Sequence, residues 1–346
     1  MTMANPIKTG LLAYGMSGKV FHAPFVATHP GFDFRAVTER HHKQAAHDYP
    51  GVISYDSVEA LLSDPEIELV IVNTPSNTHV ELTQKALQAG KHVLVEKPMA
   101  ASTAEVQTLF DLGRQVGKHV FVYQNRRWDS DFQAVKQVID SGKLGQLIEV
   151  HFRYDRYKTT LNPKVFKETP VPASGLVFDL GPHLLDQVIS LFGKPLRSHK
   201  TTGRYRANTQ VDDYFTIHLQ YPNGLNVFVT SGLLVAHPLP AFVLHGTTGS
   251  FQKGRVDVQE TQLQQGMSPV APEYGQEASG SEGTLTLVGA GDEKTTTSVP
   301  SLKGDYTQLF EAVAQALRND VPYPIREEHI QWQIALLEQK AGDWAF

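Results

Sequence analysis

Short apolar runs alternate with helix-like segments over the first 123 residues, and this alternation limits the fold more than any other feature of the sequence. The runs Ile7–Tyr14, Phe32–Thr38 and Leu69–Val72 are typical of strands, and helix-like segments lie between them. Strands that alternate with helices in this way predict a parallel sheet with helices on its faces. The sequence therefore predicts an α/β fold that begins with a doubly wound domain over residues 1–123.

A glycine turn follows the first of these strands. It reads Ala-x-Gly-x-x-Gly, with Ala13 where the full dinucleotide fingerprint has a glycine, and a helix is predicted from about Val20. Such a turn lets the backbone approach a pyrophosphate, which then meets the free N–H groups of the helix N-terminus. A glycine turn that merely joins a strand to a helix is the alternative. The predicted cofactor-binding residues of this turn are Tyr14, Gly15, Met16, Ser17 and Gly18.

Charged residues end the second strand. In a doubly wound fold, an acidic residue about 20 positions beyond the glycines bonds the ribose hydroxyls of NAD, whereas an arginine accommodates the 2′-phosphate of NADP. The sequence supplies Glu39 and Arg40 side by side, so the choice between NAD and NADP stays open. If Glu39 faces the ribose, its replacement by a neutral residue is expected to shift the preference toward NADP.

The apolar run of residues 91–95 ends in Glu96, Lys97 and Pro98. A lysine directly after a buried parallel strand lies at the carboxyl edge of the sheet, where open α/β folds bind ligands. The proline biases this lysine toward extended geometry. The polar loop after Leu69–Val72 is predicted to face the same edge. From these two segments the predicted cofactor-binding residues are Asn73, Pro75, His79, Glu96 and Lys97.

The pattern changes after Tyr123. A helix is predicted from Asn125 to Gly142, and strand-like runs follow between residues 147 and 253, with a hairpin turn signal at residues 221–224. This series predicts a second α/β domain, residues 124–346, with a large open, mostly antiparallel sheet and helices on one face. The tract Gly275–Ser298 is expected to be loop-like. Helices are predicted at Tyr306–Arg318 and Glu327–Asp343, as candidates for packing back on the first domain.

A further helix is predicted around Leu180–Val188, buried along one side. Asp179 and His183 are four residues apart and share another face of this helix. A carboxylate beside an imidazole can hold it in one tautomer and raise its basicity, which suits a base that takes a proton from a hydroxyl. An exposed ion pair is the alternative. A metal site would need a third ligand at a defined spacing, and the sequence offers no obvious one.

Composition excludes several classes of function. The net charge is -5 and there is no dense Lys/Arg block, so nucleic acid is not an expected partner. The chain has no cysteine, which excludes disulfides, thiolate metal sites and a cysteine nucleophile. The segment from Met1 to Lys8 lacks a long apolar region, and nowhere do about 18 apolar residues run together. We therefore expect a cytoplasmic protein with no membrane partner.

Taken together, these residues resemble the Gfo/Idh/MocA family of nicotinamide-dependent oxidoreductases, and within it the NADP-dependent scyllo-inositol dehydrogenase group. The resemblance covers nearly the whole chain. It rests on the glycine turn with Val20–Pro24 after it, on Glu96-Lys97-Pro98, on the run Asn125–Asp129, and on Asp179 with His183. It implies a Rossmann domain followed by an α/β domain whose open sheet forms the interface of a homodimer or homotetramer. It also implies that Lys97 and His183 act on the substrate hydroxyl while Asp179 positions it.

The chemistry of these residues agrees with that resemblance. Oxidation of a secondary alcohol needs a base for the hydroxyl proton, a cation for the developing alkoxide, and a nicotinamide beside the carbon. We therefore expect an NAD(P)-dependent dehydrogenase or reductase of a polyol, inositol or sugar. A reductase of another carbonyl or of a dihydrodiol, and a non-catalytic NAD(P)-binding sensor or regulatory protein, are the alternatives. The residues predicted to hold ring hydroxyls are Asn125, Arg127 and Tyr154.

Overall fold

The computed structural model describes residues 5–164, 167–300, 302–342 and 344–345. The first four residues, on which part of the signal-peptide expectation rests, and Asp343, the predicted end of the last helix, lie outside the described residues. The chain divides into two compact units. Unit 1 consists of Met1–Asn125, Gln259–Gly275 and Asp305–Glu327; unit 2 consists of Arg126–Val258, Gln276–Gly304 and Glu328–Phe346.

Unit 1 is built on a parallel sheet. Within the described residues this sheet has six strands: β1 (Ile7–Leu11), β2 (Phe32–Thr38), β3 (Ile53–Tyr55), β4 (Leu69–Val72), β5 (His92–Glu96) and β6 (Val120–Tyr123). Their order is β3-β2-β1-β4-β5-β6, and all neighbours are parallel. This is the strand order of a dinucleotide-binding doubly wound fold, whose ligand binds where the order reverses, between β1 and β4. The predicted first fold is confirmed.

The register of the central strands places three chain segments at one edge. Leu11 pairs with Ile71, and Val72 pairs with Val95. Strands β1, β4 and β5 therefore end at nearly the same level, and their apolar residues are completely buried. The glycine turn, the loop that begins at Asn73 and the residues after β5 consequently meet at the carboxyl edge of the sheet.

Ten α-helices are described across the two units, and several begin at the side chains that the sequence favours. Ser57 and Ser102 both accept hydrogen bonds from the backbone as N-caps, and Glu105 completes a capping box with Ser102. The helices are α1 (Ala23–Thr28), α2 (Ala45–Asp48), α3 (Val58–Leu62), α4 (His79–Gln88), α5 (Thr103–Gln115), α6 (Ser130–Asp140), α7 (Gly175–Phe192), α8 (Gln259–Gln264), α9 (Thr307–Asn319) and α10 (Glu327–Glu338).

Unit 2 contains a second, larger sheet. Its nine described strands are β7 (Leu147–Arg153), β8 (Arg197–Gly203), β9 (Tyr214–Gln220), β10 (Asn226–Gly232), β11 (Phe242–Gly246), β12 (Gly249–Lys253), β13 (Gly283–Val288), β14 (Lys294–Val299) and β15 (Trp344–Ala345). The order is β14-β13-β12-β11-β7-β10-β9-β8-β15, and among these strands β7 and β10 form the one parallel pair. Helix α7 packs across β7, β9 and β10, and α6 packs against β12. The predicted large, mostly antiparallel sheet is confirmed.

The sheet of unit 2 has a second face that carries a row of aligned side chains. His199, His218, Phe228, His151 and Val243 are successive cross-strand partners on five neighbouring strands. The ring of Phe228 is stacked between those of His218 and His151, with centroids 4.5 and 5.0 Å apart. These residues are partly exposed, whereas the residues that alternate with them on β9 and β10 are buried. We call this set the histidine row.

Several predicted elements have different bounds in the structure. The expectation that Gly275–Ser298 is loop-like was wrong, because it contains β13 and most of β14. Alternating Thr and Leu residues at positions 284–287 suit a half-buried strand, and the glycine-rich, serine-rich flanks hid that pattern. The residues Asn125–Trp128 form a short 3-10 turn, so the helix predicted from Asn125 begins only at Ser130.

No helix among the described parts of the chain combines the length and the apolar character that a membrane span needs.

Candidate functional site

The glycine turn is shaped by a side chain of the neighbouring strand's loop. The amide of Asn73 accepts a hydrogen bond from the Ala13 N–H at 3.0 Å and donates one to the Ala13 carbonyl at 2.8 Å. A Cβ atom on Gly18 would lie 2.3 Å from that same carbonyl, so only glycine fits there. A Cβ atom on Gly15 would have no neighbour within 4 Å. The backbone is thus closely packed at Gly18, whereas the space next to Gly15 is open.

The helix after this turn begins earlier than predicted. Helical residues start at Met16, and a π-helical turn over Gly18–His22 precedes α1. Inserted π-turns of this kind occur often at functional sites. Met16 is exposed, and it lies with Gly15 at the open N-terminal end of the helix. The backbone N–H groups of this first turn are suited to an anionic group such as a pyrophosphate.

The side chain of Tyr14 also holds the glycine turn in place. Its hydroxyl donates to Asp48 at 2.8 Å, and Lys19 lies over its ring at 5.1 Å. Burial, followed by the hydrogen bond and the charge of Asp48, raises the pKa of Tyr14. The phenol is therefore neutral and serves as an anchor between the glycine turn and α2.

Glu96 connects the glycine turn to the residue before Lys97. One oxygen of its carboxylate accepts a hydrogen bond from Ser17 Oγ at 2.8 Å and lies 2.8 Å from His22 Nε2. Burial raises the pKa of Glu96, but His22, Ser17 and the charge of Lys97 together lower it below its ordinary value. An ionised Glu96 therefore holds the turn of the cofactor loop next to the half-buried Lys97. The Lys97–Pro98 peptide bond is cis.

His79 joins the two loops at this edge. Its Nδ1 lies 2.7 Å from the Pro98 carbonyl, and its Nε2 lies 2.8 Å from the Thr74 carbonyl. Burial lowers the pKa of His79, although the hydrogen bonds to the two carbonyls act in the opposite direction. Its contacts are within the protein, which suits a role in positioning the loops. Pro75, in contrast, is exposed.

Glu39 is used inside the fold. Its carboxylate accepts hydrogen bonds from the N–H of Gln44 at 3.0 Å, from the N–H of Ala45 at 3.2 Å and from the Ser54 hydroxyl at 2.8 Å. The residue is 9 % exposed. Glu39 therefore caps the start of α2. Arg40, the next residue, is exposed.

In unit 2, Asp179 and His183 both lie on α7, one turn apart, as predicted. The helix begins at Gly175 because Asp212 accepts hydrogen bonds from the first backbone N–H groups of the helix. The Val177 N–H donates to the Asp212 carboxylate at 2.7 Å. A Cβ on Gly175, whose φ is +83°, would overlap that carboxylate. Asp179 is part exposed and forms an ion pair with Lys167 at 3.1 Å. His183 is buried, with 8 % exposure.

A buried ion pair fixes the segment after β6 on this helix. Arg127 donates to both oxygens of Asp186, at 2.7 and 2.8 Å, and its Nη2 lies 3.2 Å from His329 Nδ1. Burial raises the pKa of Asp186, against the opposing effect of Arg127. Gln187 donates to the Arg126 carbonyl at 2.8 Å. The guanidinium of Arg127 is therefore committed to α7, which gives it a positioning role.

The other two residues predicted to hold substrate hydroxyls differ in their surroundings. Asn125 begins the 3-10 turn after β6 and is buried. Tyr154 directly follows β7 and lies beneath the guanidinium groups of Arg126, Arg156 and Arg255. This arrangement was not predictable from the sequence, because the three arginines come from three separate segments.

The residues of unit 1 fit a nicotinamide dinucleotide. The open space at Gly15, the helix that starts at Met16 and the carboxyl edge of β1 and β4 are the three elements that such a cofactor needs. Sequence reasoning missed His22 and Asp212, since the partner of each lies far along the chain. No group of His, Asp or Glu side chains in the described ranges is arranged to hold a metal ion.

These features define a nicotinamide-dependent oxidoreductase. The family model "Oxidoreductase family, NAD-binding Rossmann fold" matches residues 7–124, and the "GFO/IDH/MocA C-terminal domain" model matches residues 132–252. The chain belongs to the Gfo/Idh/MocA family, and the expectation of an NAD(P)-dependent dehydrogenase or reductase is confirmed.

Similar proteins support the same conclusion over nearly the full length. An uncharacterized oxidoreductase of Schizosaccharomyces pombe is 37% identical, with 94% of each chain covered. The scyllo-inositol 2-dehydrogenase (NADP(+)) IolW of Bacillus subtilis is 34% identical, over 93% of this chain and 89% of its own. The solved structure of the oxidoreductase YvaA of Bacillus subtilis has a TM-score of 0.92 at 33% identity, covering 97% of this chain and 95% of that one.

The ion pair between Arg127 and Asp186 generates a stability prediction. Asp186→Ala leaves a buried guanidinium without its carboxylate, and we expect a loss of about 3–5 kcal/mol in the free energy of unfolding. Urea unfolding followed by circular dichroism measures it. Asp140→Ala is the matched control, because Asp140 pairs with Lys136 on an exposed helix surface, where the loss is expected to stay below about 0.5 kcal/mol. Equal small losses in both variants would contradict the assignment.

Proposed function

We propose that this protein transfers a hydride between a nicotinamide cofactor and a secondary alcohol or ketone of a polyol, inositol or sugar. The observation that carries the proposal is the link through Glu96, which holds Lys97 beside the glycine turn. A fixed cation next to a cofactor loop suits the stabilisation of an alkoxide. The name of the relative IolW supports a polyol substrate, since it is a scyllo-inositol 2-dehydrogenase.

In the proposed oxidation, two residues act on one hydroxyl. His183 accepts the hydroxyl proton, and the ammonium group of Lys97 stabilises the negative charge that develops on the oxygen. Asp179 positions His183 from the preceding turn of α7. A bound nicotinamide supplies the acceptor for the hydride, or the donor in the reverse reaction. Ser17, Glu96 and Asn73 keep the loops of unit 1 in place during the reaction.

We also propose a preference for NADP. The carboxylate of Glu39 caps α2, so it is committed to backbone amides and Ser54 rather than to a ribose. Arg40 is then the exposed charge at the end of β2, and a guanidinium suits a 2′-phosphate. IolW, which is NADP-dependent by name, supports this preference. In place of a shift in cofactor preference, we propose that neutralising Glu39 lowers the stability of the fold alone.

A third proposal concerns assembly. We propose that two copies of the chain associate through the face of the unit 2 sheet that carries the histidine row. The aromatic side chain of Phe228, stacked between two imidazoles on a partly exposed sheet face, supports a second copy as the partner. Dimer interfaces are enriched in such aromatic residues. Pairs of dimers would give the homotetramer.

The catalytic roles are tested by a pair of substitutions. Lys97→Ala and His183→Asn should each lower kcat at least about a hundredfold, because each removes an interaction made in the transition state. The dissociation constant of NADP should change little, as measured by fluorescence titration. The double variant should be much less impaired than the product of the two effects, because both groups serve one hydroxyl. Activity is followed at the nicotinamide absorbance with a panel of cyclitols and aldoses.

Lys118→Ala is the control for charge removal, since Lys118 precedes β6 and lies at the amino edge of the same sheet. It should retain the activity of the unmodified protein. Fully multiplicative losses in the double variant would show that Lys97 and His183 contribute independently and not as one unit. Cofactor binding without turnover of any panel compound by the unmodified protein would favour the sensor.

Cofactor preference is tested at Arg40. Arg40→Ala should weaken NADP binding about tenfold or more and leave NAD binding unchanged, because a charge-assisted contact with the 2′-phosphate is lost. Glu39→Gln should leave the ratio of the two dissociation constants unchanged and lower the urea midpoint instead. A shift toward NADP in Glu39→Gln would mean that the carboxylate reaches the cofactor.

Assembly is tested at Phe228. Sedimentation velocity should show the unmodified protein as a dimer or tetramer at micromolar concentration and Phe228→Glu as a monomer, because facing carboxylates repel at a shared interface. Val321→Glu places the same charge on an exposed residue of unit 1, and its sedimentation should not change. A monomeric unmodified protein, or an unchanged Phe228→Glu variant, would refute the interface.

A further inference from the structure

Three guanidinium groups surround one phenol ring in unit 2. The guanidinium carbons of Arg255, Arg156 and Arg126 lie 4.3, 4.8 and 5.4 Å from the ring centroid of Tyr154. Arg255 also lies 4.9 Å from the ring centroid of Phe242. Cation–π contacts of this kind are favourable one at a time, but three like charges around one ring repel each other. We call these four residues the arginine–tyrosine cluster.

One acidic residue, Asp129, pairs with two arginines of the cluster. Asp129 faces Arg126 at 3.3 Å and Arg255 at 3.8 Å, but burial and the nearby Asp257 and Asp131 raise its pKa well above the ordinary value. Asp129 is therefore the carboxyl group that lies against two of the three guanidinium groups.

The two neighbouring carboxylates are turned to the backbone. Asp257 accepts from the N–H of Ser130 at 2.8 Å, and Asp131 accepts from the N–H of Val256 at 2.8 Å. Asp155 accepts from Arg153, which is outside the cluster. Asp129 thus pairs with Arg126 and Arg255, whereas Arg156 forms no ion pair with a carboxylate among the described residues.

The members of the cluster differ in what a ligand could reach. Arg255 and Arg126 are 17% and 11% exposed, and Nε and Nη1 of Arg255 have no hydrogen-bond partner among the described residues. These two arginines are mostly buried, and they contribute positive charge to the cluster. Arg156 is exposed, and its Nη2 donates to the Tyr154 hydroxyl at 3.2 Å. The Arg156 fork and the phenol are the groups that a ligand can contact.

The pKa of Tyr154 is affected by the same three positive charges. Burial raises the pKa of Tyr154, but the charges of Arg126, Arg255 and Arg156 outweigh it and lower the pKa below its ordinary value. A site that stabilises negative charge on a phenol also stabilises it on a bound anion.

The cluster is connected to the helix that carries His183. Gln187 donates to the Arg126 carbonyl, and it lies one helical turn after His183 on α7. The four residues from His183 to Gln187 correspond to about 6 Å along the helix axis. Arg127, next to Arg126, is fixed to the same turn through Asp186. The backbone of the cluster residue Arg126 is thus held on the helix that carries His183.

We propose that the arginine–tyrosine cluster binds an anionic group of the substrate, a carboxylate or a phosphate, through the Arg156 fork and the Tyr154 hydroxyl. The natural substrate is then a sugar acid or a phosphorylated polyol in preference to a neutral one. This inference rests on the proposed dehydrogenase function. It adds the charge of the substrate, which that function leaves open. A planar guanidinium suits both anions, since each presents paired oxygens.

Matched ligands test the proposal. With the protein saturated with NADP, so that its dinucleotide site is filled, isothermal titration compares D-glucuronate with D-glucose, and myo-inositol 1-phosphate with myo-inositol. At least one anion should bind about tenfold more tightly than its neutral partner, the gain expected from a charge-assisted hydrogen bond. Whichever pair shows the larger difference identifies the anion as carboxylate or phosphate. The difference should shrink as salt is raised.

Substitutions localise the effect. Arg156→Gln should abolish the difference between anionic and neutral ligands, and Arg156→Lys should restore part of it. Arg197→Gln, which removes an exposed positive charge from β8 in the same unit, should leave it intact. Circular dichroism confirms that each variant is folded.

The possible failures are distinguishable. Equal binding of anionic and neutral partners, or a difference that survives Arg156→Gln, would overturn the anion site even if neutral polyols are oxidised. Binding of an anion that depends on Arg156, without oxidation of any ligand in the panel, would support the site and overturn the proposed dehydrogenase function instead.

Discussion

The carboxylate of Glu96 is the contact on which the geometry of unit 1 depends. It is the last residue of β5, and it bonds Ser17 in the turn after β1 and His22 in the helix that follows. Because the side chain is only 13% exposed, each of these bonds is made in a medium of low dielectric constant, where an unpaired carboxylate would be costly. The same residue precedes Lys97. Glu96 therefore connects the glycine turn to the proposed catalytic cation through one residue.

Unit 2 also contains a buried charged contact, in this case on helix α7. The bidentate pair of Arg127 with Asp186 joins the segment after β6 to α7 just beyond His183. A buried ion pair adds little net stability over a hydrophobic contact of the same size, but it tolerates few geometries. Both units thus place a buried charge directly beside a proposed catalytic residue. In each case the benefit is position, since neither pair is needed to form a core that apolar residues already supply.

The sequence predicted what depends on local pattern and failed where distant partners decide. Strand β2 was predicted with its observed bounds, because a periodic apolar run is bounded by polar turns. Asp179 and His183 were placed correctly on one helix for the same reason. The role of Glu39 was not predictable, because its use as a cap depends on the fold of residues 44–54. The tract Gly275–Ser298 was predicted to be a loop because its turns are rich in glycine and serine. This composition hid the pattern of two short strands.

The two units also differ in the kind of chemical group, backbone or side chain, that is proposed to bind a ligand. The cofactor turn is formed mainly by backbone, held by Asn73 through the peptide of Ala13. These two hydrogen bonds use only the backbone of residue 13, so they do not require a glycine there. Unit 2 instead presents side-chain charge around Tyr154. Although the chain carries a net charge of -5, screening limits the reach of distant carboxylates to about 8 Å at physiological salt. A local excess of guanidinium groups can consequently attract an anion to a protein that is acidic as a whole.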